Sequence, residues 1–200
     1  SGVLVDGATS VTLEQLSVGQ TGFEAIRIRG AAEVTLLDSL IHESIAYGLL
    51  SSGSTVAVER SVVRDGLPLA DQSLGIGVAA KCEPGGSCGR LTITGCLISR
   101  NADAGIFVEG VETEIFASVI RETLPASETE GHGWGLFARC DLAQDLCAPV
   151  TVAQSVIAGN TEIGINVIGN DVVLHGTTVR DQRSRPSCVG ARRCPRTLHR

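Results

Sequence analysis

The chain has 200 residues, 43% hydrophobic and only 3% aromatic, with 16 basic against 22 acidic side chains and a formal net charge of −6. That is enough apolar material for one domain, while no run approaches the roughly 18 apolar residues a membrane-spanning helix needs, so no membrane span is expected. The charge is uneven: residues 1–182 hold all 22 acids and ten of the basic residues, net −12, which excludes nucleic acid as a partner of the body.

In chain order, a glycine or alanine followed by apolar, any, apolar opens seven units: Gly2-Val-Leu-Val, Ala25-Ile-Arg-Ile, Gly48-Leu-Leu-Ser, Gly75-Ile-Gly-Val, Gly105-Ile-Phe-Val, Gly135-Leu-Phe-Ala and Gly164-Ile-Asn-Val. Their spacings of 23, 23, 27, 30, 30 and 29 residues describe one unit of about 23 residues with insertions in the middle copies. Each unit adds two more short segments with period-two alternation, the first series from Val11-Thr-Leu to Val172-Val-Leu, the second from Leu16-Ser-Val to Thr177-Thr-Val. No unit holds an apolar period of 3.6 for ten residues, so a helical reading fails. Three short strands per unit predict an all-β solenoid, a right-handed parallel β-helix of about seven coils over residues 1–182, with equivalent residues stacked about 4.8 Å apart. The chain opens at Ser1-Gly2 directly into a strand pattern and shows no polar cap at either end, so a piece of a longer array is expected. Residues 183–200, with six arginines and two cysteines, read as a basic tail or a degenerate eighth coil.

The strand pattern assigns columns. Val3, Ile26, Leu49, Ile76, Ile106, Leu136 and Ile165 are expected inside the first strand of successive coils. Thr21, Ser44, Gly66, Asn101, Thr123, Asn160 and Gln182 fall at one corner, mostly small polar residues able to hydrogen-bond from coil to coil. In the third strand the middle position is apolar as well (Leu40, Val62, Leu97, Val119, Val156). Either the strand bends so that both positions are core, which is the expectation, or an apolar stripe faces a partner.

The segments Asn101-Ala-Asp-Ala-Gly-Ile-Phe-Val and Ser155-Val-Ile-Ala-Gly-Asn resemble right-handed β-helix repeats of the pectin-lyase-like superfamily. The resemblance covers residues 1–182 and implies the fold. It leaves function open, because that superfamily includes polysaccharide lyases, glycoside hydrolases, adhesins, phage tailspikes and proteins without known activity.

Seven cysteines include three local pairs: Cys82 and Cys88, Cys140 and Cys147, Cys188 and Cys194. The first two pairs occupy equivalent places after the first strand, each enclosing a short polar insertion. Disulfides that staple those loops explain the placement, whereas zinc would want CxxC spacing or nearby histidines. Disulfides imply an oxidising setting, extracellular or at the cell surface. Cys96 stands in a column of serines and is expected to be a buried free thiol. Cofactors and metal ligands are not expected, and His42, His175 and His199 are scattered.

Relative to the 23-residue unit, residues 66–73 and 124–133 are extra just before a first strand, and 81–89 and 140–148 just after one, so the middle coils should form the floor of a trough. The outward columns of that floor are expected to read Leu4, Arg27, Leu50, Gly77, Phe107, Phe137, Asn166 and Asp6, Arg29, Ser52, Ala79, Glu109, Arg139, Ile168. Phe107 and Phe137 would then stack and face solvent with Trp134 beside them, flanked by Glu109 and Arg139. Such a platform suits sugar rings, whose C–H faces pack on aromatics while ionic groups take hydroxyls or carboxylates. Gly131-His-Gly and Asn101-Ala-Asp also resemble elements of polygalacturonases, which implies an acid role for Asp103 with His132 as its neighbour. Their paired-aspartate element has no counterpart in the coil between, and Asp103 with Glu109 is the sole carboxylate pair to nominate. The expected function is therefore an extracytoplasmic surface or binding module whose partner is a polysaccharide or cell-surface glycan, with no complete catalytic set. The alternative is a polysaccharide-cleaving lyase or glycoside hydrolase, or a fragment of one.

Overall fold

The computed structural model describes residues 1–30, 33–127 and 132–183. Among them are 21 strands and no helix. Each unit contributes one strand to each of three seven-stranded sheets, and every strand pairs in parallel with its equivalents in the neighbouring coils. The first sheet comprises Val3–Asp6, Glu24–Arg29, Tyr47–Ser52, Ile76–Lys81, Asp103–Glu109, Gly133–Arg139 and Ile165–Ile168. The second runs from Ser10–Glu14 to Val172–His175 and the third from Ser17–Gly19 to Thr178–Arg180. The expected all-β parallel β-helix of seven coils is the observed architecture.

Alternation fills the interior. In Thr55–Glu59, for example, Val56 and Val58 are buried while Ala57 is part-exposed, and Ile26, Leu49, Ile106 and Leu136 of the first sheet pack in one core with Leu36 and Ile93 of the second, all with no exposed surface. The third strand keeps this alternation rather than bending. Ile41, Val63, Ile98, Ile120 and Ile157 point inward, and Leu40, Val62, Leu97, Val119 and Val156 form a half-buried stripe outside, each shielded by its neighbours above and below.

The register of the fourth coil differs from expectation by two residues. Val78, not Ile76, stacks between Leu49 and Ile106, and Ile76 pairs with Tyr47. Backbone proximity is the reason. Gly48, Gly77, Gly105, Gly135 and Gly164 form a column in which a Cβ on any of the first four would lie 2.5–2.7 Å from the carbonyl oxygen of the next. Only glycine fits there, so Gly77 is the landmark, while Gly75, at φ 97°, belongs to the preceding loop.

The coils bend because each corner takes one left-handed residue. Between the second and third strands these are Gln15, Asp38, Arg60, Gly95, Ala117, Gln154 and Gly176. A non-glycine residue there costs about 1–2 kcal/mol, and the residue that follows offsets it. The Ser39, Ser61, Ser118 and Ser155 hydroxyls each donate to the carbonyl two residues back. Each also accepts the N–H of the equivalent residue one coil earlier: Ser39 from Leu16, Ser61 from Ser39, Ser118 from Cys96, and Ser155 from Ser118. At the next corner Asn101 accepts from Gly66 N–H and Asn160 from Thr123 N–H, which is the coil-to-coil bonding expected of that column.

Candidate functional site

The corrected register rewrites the outer face of the first sheet. Its columns read Leu4, Arg27, Leu50, Ala79, Phe107, Phe137, Asn166 and Asp6, Arg29, Ser52, Lys81, Glu109, Arg139, Ile168. Lys81 therefore stands where Ala79 was expected, between Ser52 and Glu109. A signal for it existed in the sequence: Lys81 precedes Cys82 as Arg139 precedes Cys140, and the two cysteines are equivalent.

The insertion before the fourth coil folds onto this face. Its Leu69, together with Leu74, packs against Tyr47, Leu50, Ile76, Ala79, Ala104 and Phe107, a second apolar cluster outside the coil interior. Phe107 is consequently only 6% exposed rather than solvent-facing. Its ring lies 5.4 Å from that of Phe137, beneath the Lys81 ammonium at 5.2 Å and the Arg139 guanidinium at 5.3 Å. The open aromatic surface is shifted instead to Phe137 and Trp134, both partly exposed. Trp134 sits 4.4 Å from Phe137 and is stacked on His132 at 3.7 Å and 13°. Its indole nitrogen is buried without a hydrogen-bond partner. These rings, with Tyr47, Leu74 and Asp103, line a cleft of about 360 Å³ that opens over the third to sixth coils.

Asp103 and His132 are brought together in that cleft. Asp103 adopts φ 65° at the start of its strand and pairs in register with Gly133. Burial pushes its carboxyl above the usual aspartate range, and the His132 ring and backbone N–H oppose that shift. His132 Nδ1 lies 3.3 Å from a Glu162 carboxylate oxygen, a partner the sequence did not suggest. Asp103 and Glu109, in contrast, occupy opposite ends of one strand. Six residues at about 3.3 Å each put them about 20 Å apart, beyond the roughly 5–9.5 Å of a glycosidase carboxylate pair.

Glu109 is committed to Arg139, with Oε1 accepting from Nε at 2.7 Å and lying 2.6 Å from a terminal guanidinium nitrogen. Past this pair a second cleft of about 540 Å³ lies at the other end of the strands, lined by Arg27, Ser52, Lys81, Glu109, Arg139 and Asp141 among others. Disulfides Cys82–Cys88 and Cys140–Cys147 staple its walls. Cys96 is a buried free thiol whose ionisation burial holds above the usual range. Cys188 and Cys194 lie outside the described residues. Among the described residues no group of three His, Cys, Asp or Glu side chains could hold a metal ion.

A coil of three parallel sheets with a trough on the first, walled by stapled loops, defines a right-handed parallel β-helix repeat protein. The chain belongs to the family described as right handed beta helix region, which matches residues 1–123. Among solved structures the pectate lyase Pel9A is similar, with a TM-score of 0.62 and 16% identity over 90% of this chain and 58% of that enzyme. At that identity the likeness is one of fold. The chain thus spans less than two thirds of that enzyme's length. A search of curated proteins finds no match.

Proposed function

We propose that this domain is an extracytoplasmic carbohydrate-binding module that holds a polysaccharide in the trough of its first sheet. The observation that carries the reading is Trp134, stacked on His132 and in contact with Phe137 in an open cleft. A sugar ring packs its C–H face on such a surface. The two disulfides fit an oxidising, extracellular or cell-surface location. Titration against a panel of neutral and acidic polysaccharides tests the proposal. Binding without turnover is expected, and Trp134→Ala and Phe137→Ala should each weaken it by about 1–3 kcal/mol. Unchanged affinity in both variants, with the β-helix intact, would remove the ligand from this cleft.

A second reading, a polysaccharide-cleaving enzyme, has one observation in its favour. Asp103 is half-buried beside His132, and its raised carboxyl retains a proton to higher pH than an exposed aspartate. New reducing ends or unsaturated uronides in the same panel, abolished by Asp103→Asn, would put this reading first.

A further inference from the structure

The two clefts of the trough share a boundary, and ion pairing separates the three cations that line it. Arg139 is bound to Glu109 at 2.6–2.7 Å. Arg27 is bound to the buried Glu24 at 2.5 Å. Lys81 has no ion pair among the described residues, and its ammonium is placed over the Phe107 ring. The carboxylates that line the larger cleft with it are engaged. Glu109 serves Arg139, and Asp141 accepts from the backbone of Ala143 and Gln144 and from the Gln144 side chain. Lys81 lines both clefts. It is held at the end of its strand by pairing with Ser52 and Glu109 on either side, and the next residue begins a stapled loop. A cation fixed over an aromatic ring, beside a cleft wide enough for a sugar residue, is arranged for an anionic group that arrives with the ligand.

We propose that Lys81 is the specificity-determining residue of the trough, and that the larger cleft takes an anionic substituent of the glycan, a carboxylate or a sulfate ester, while the neighbouring sugar ring packs on Trp134 and Phe137. This rests on the carbohydrate-binding reading and adds the class of ligand. Lys81 supplies the uncompensated charge, Ser52 a neutral donor beside it, and the Glu109–Arg139 pair a rigid wall. Strand geometry sets the scale. The clefts lie towards opposite ends of strands whose outward face spans about five residues, or about 17 Å, so the ligand is an oligosaccharide with the anion offset from the stacked ring.

Calorimetric titration of the intact chain, in the presence of a chelator, decides the matter with three probes: a tetramer of galacturonic acid, the same tetramer fully methyl-esterified, and a sulfated neutral oligosaccharide of similar length. The acid tetramer is expected to bind at least about tenfold more tightly than its ester at low salt. That advantage should shrink as ionic strength rises from about 0.05 to 0.5 M. Lys81→Gln should bring acid and ester within about twofold of each other, and Lys81→Arg should restore most of the difference. The sulfated probe distinguishes the sources, because binding it as tightly as the acid assigns a general anion site and binding only the acid assigns a carboxylate site. Equal affinity of the unmodified chain for acid and ester, or a preference that survives in Lys81→Gln, overturns the inference and leaves carbohydrate binding standing. Binding of none of the probes, together with none from the polysaccharide panel, overturns both.

Discussion

Asp103 gives the molecule a titration that can be measured. Its carboxyl is raised in the folded state by burial, so between the ordinary aspartate value and the raised one the folded chain holds more proton than the unfolded chain. Stability from this group is therefore full below the ordinary value and falls as pH rises through the raised one. Asp103→Asn should accordingly unfold at a higher denaturant concentration than the parent at about pH 7, with the gap closing near pH 3. Asparagine tolerates the left-handed backbone and still accepts the His132 N–H, so a loss of stability at neutral pH would contradict this account. Ser118 is a second residue-scale case, because its hydroxyl accepts the Cys96 N–H and donates to Phe116 in a buried column. Ser118→Ala orphans a buried donor and should cost about 1–3 kcal/mol in urea unfolding, with the larger share due to the unsatisfied N–H.

Between coils, the glycine column sets how closely first-sheet strands approach. A Cβ at Gly135 would meet the Gly164 carbonyl oxygen at 2.5 Å and Asn160 and Ile157 side chains at 2.8 Å. Gly135→Ala should therefore destabilise by about 1–3 kcal/mol, as overpacking does. Gly22 has nothing within 4 Å of the same atom and ordinary φ, so Gly22→Ala should be neutral or stabilise by up to about 1 kcal/mol. Comparing the urea midpoints of the two variants tests whether crowding, rather than glycine content, governs this column. The stapled loops behave differently, because each disulfide closes only six or seven residues of separation. Replacing Cys82 and Cys88 by serine should cost about 2 kcal/mol on the chain-entropy estimate while circular dichroism keeps its β signature.

For the whole molecule, stacking makes stability a matter of neighbours, since each coil touches the coils above and below. Ile106 and Leu136 have no exposed surface, whereas Val173, Leu174 and Val179 of the seventh coil are 56%, 51% and 43% exposed. Amide hydrogen exchange should thus be slowest in Asp103–Glu109 and Gly133–Arg139 and fastest in Ile165–Ile168 and Thr178–Arg180, with opening spreading inward from the seventh coil. Uniform protection along the chain would instead indicate one cooperative unit. A core truncation such as Ile106→Ala, costing about 2–5 kcal/mol, should lower protection most in the fourth to sixth coils.

By itself the sequence determined the repeat, the three strands per coil, the serine and asparagine corners and the two local disulfides, because each depends on nearby residues or on a period that survives insertions. It also marked the first sheet of the middle coils as the trough and named Phe107, Phe137, Trp134, Glu109 and Arg139 on it. Only the tertiary structure decided which glycine faces the next coil. Gly75-Ile-Gly-Val and Gly77-Val-Ala-Ala satisfy the same local pattern, and the carbonyl 2.6 Å from a Cβ at Gly77 belongs to Gly105, 28 residues further on. That two-residue slip hid Lys81. The burial of Phe107 was likewise out of reach, since its cluster is completed by Leu69 and Leu74, from a loop whose path no periodicity encodes. The side chains of the trough are thus written locally, and what is open, covered or left without a counter-charge is fixed by loops that fold over it.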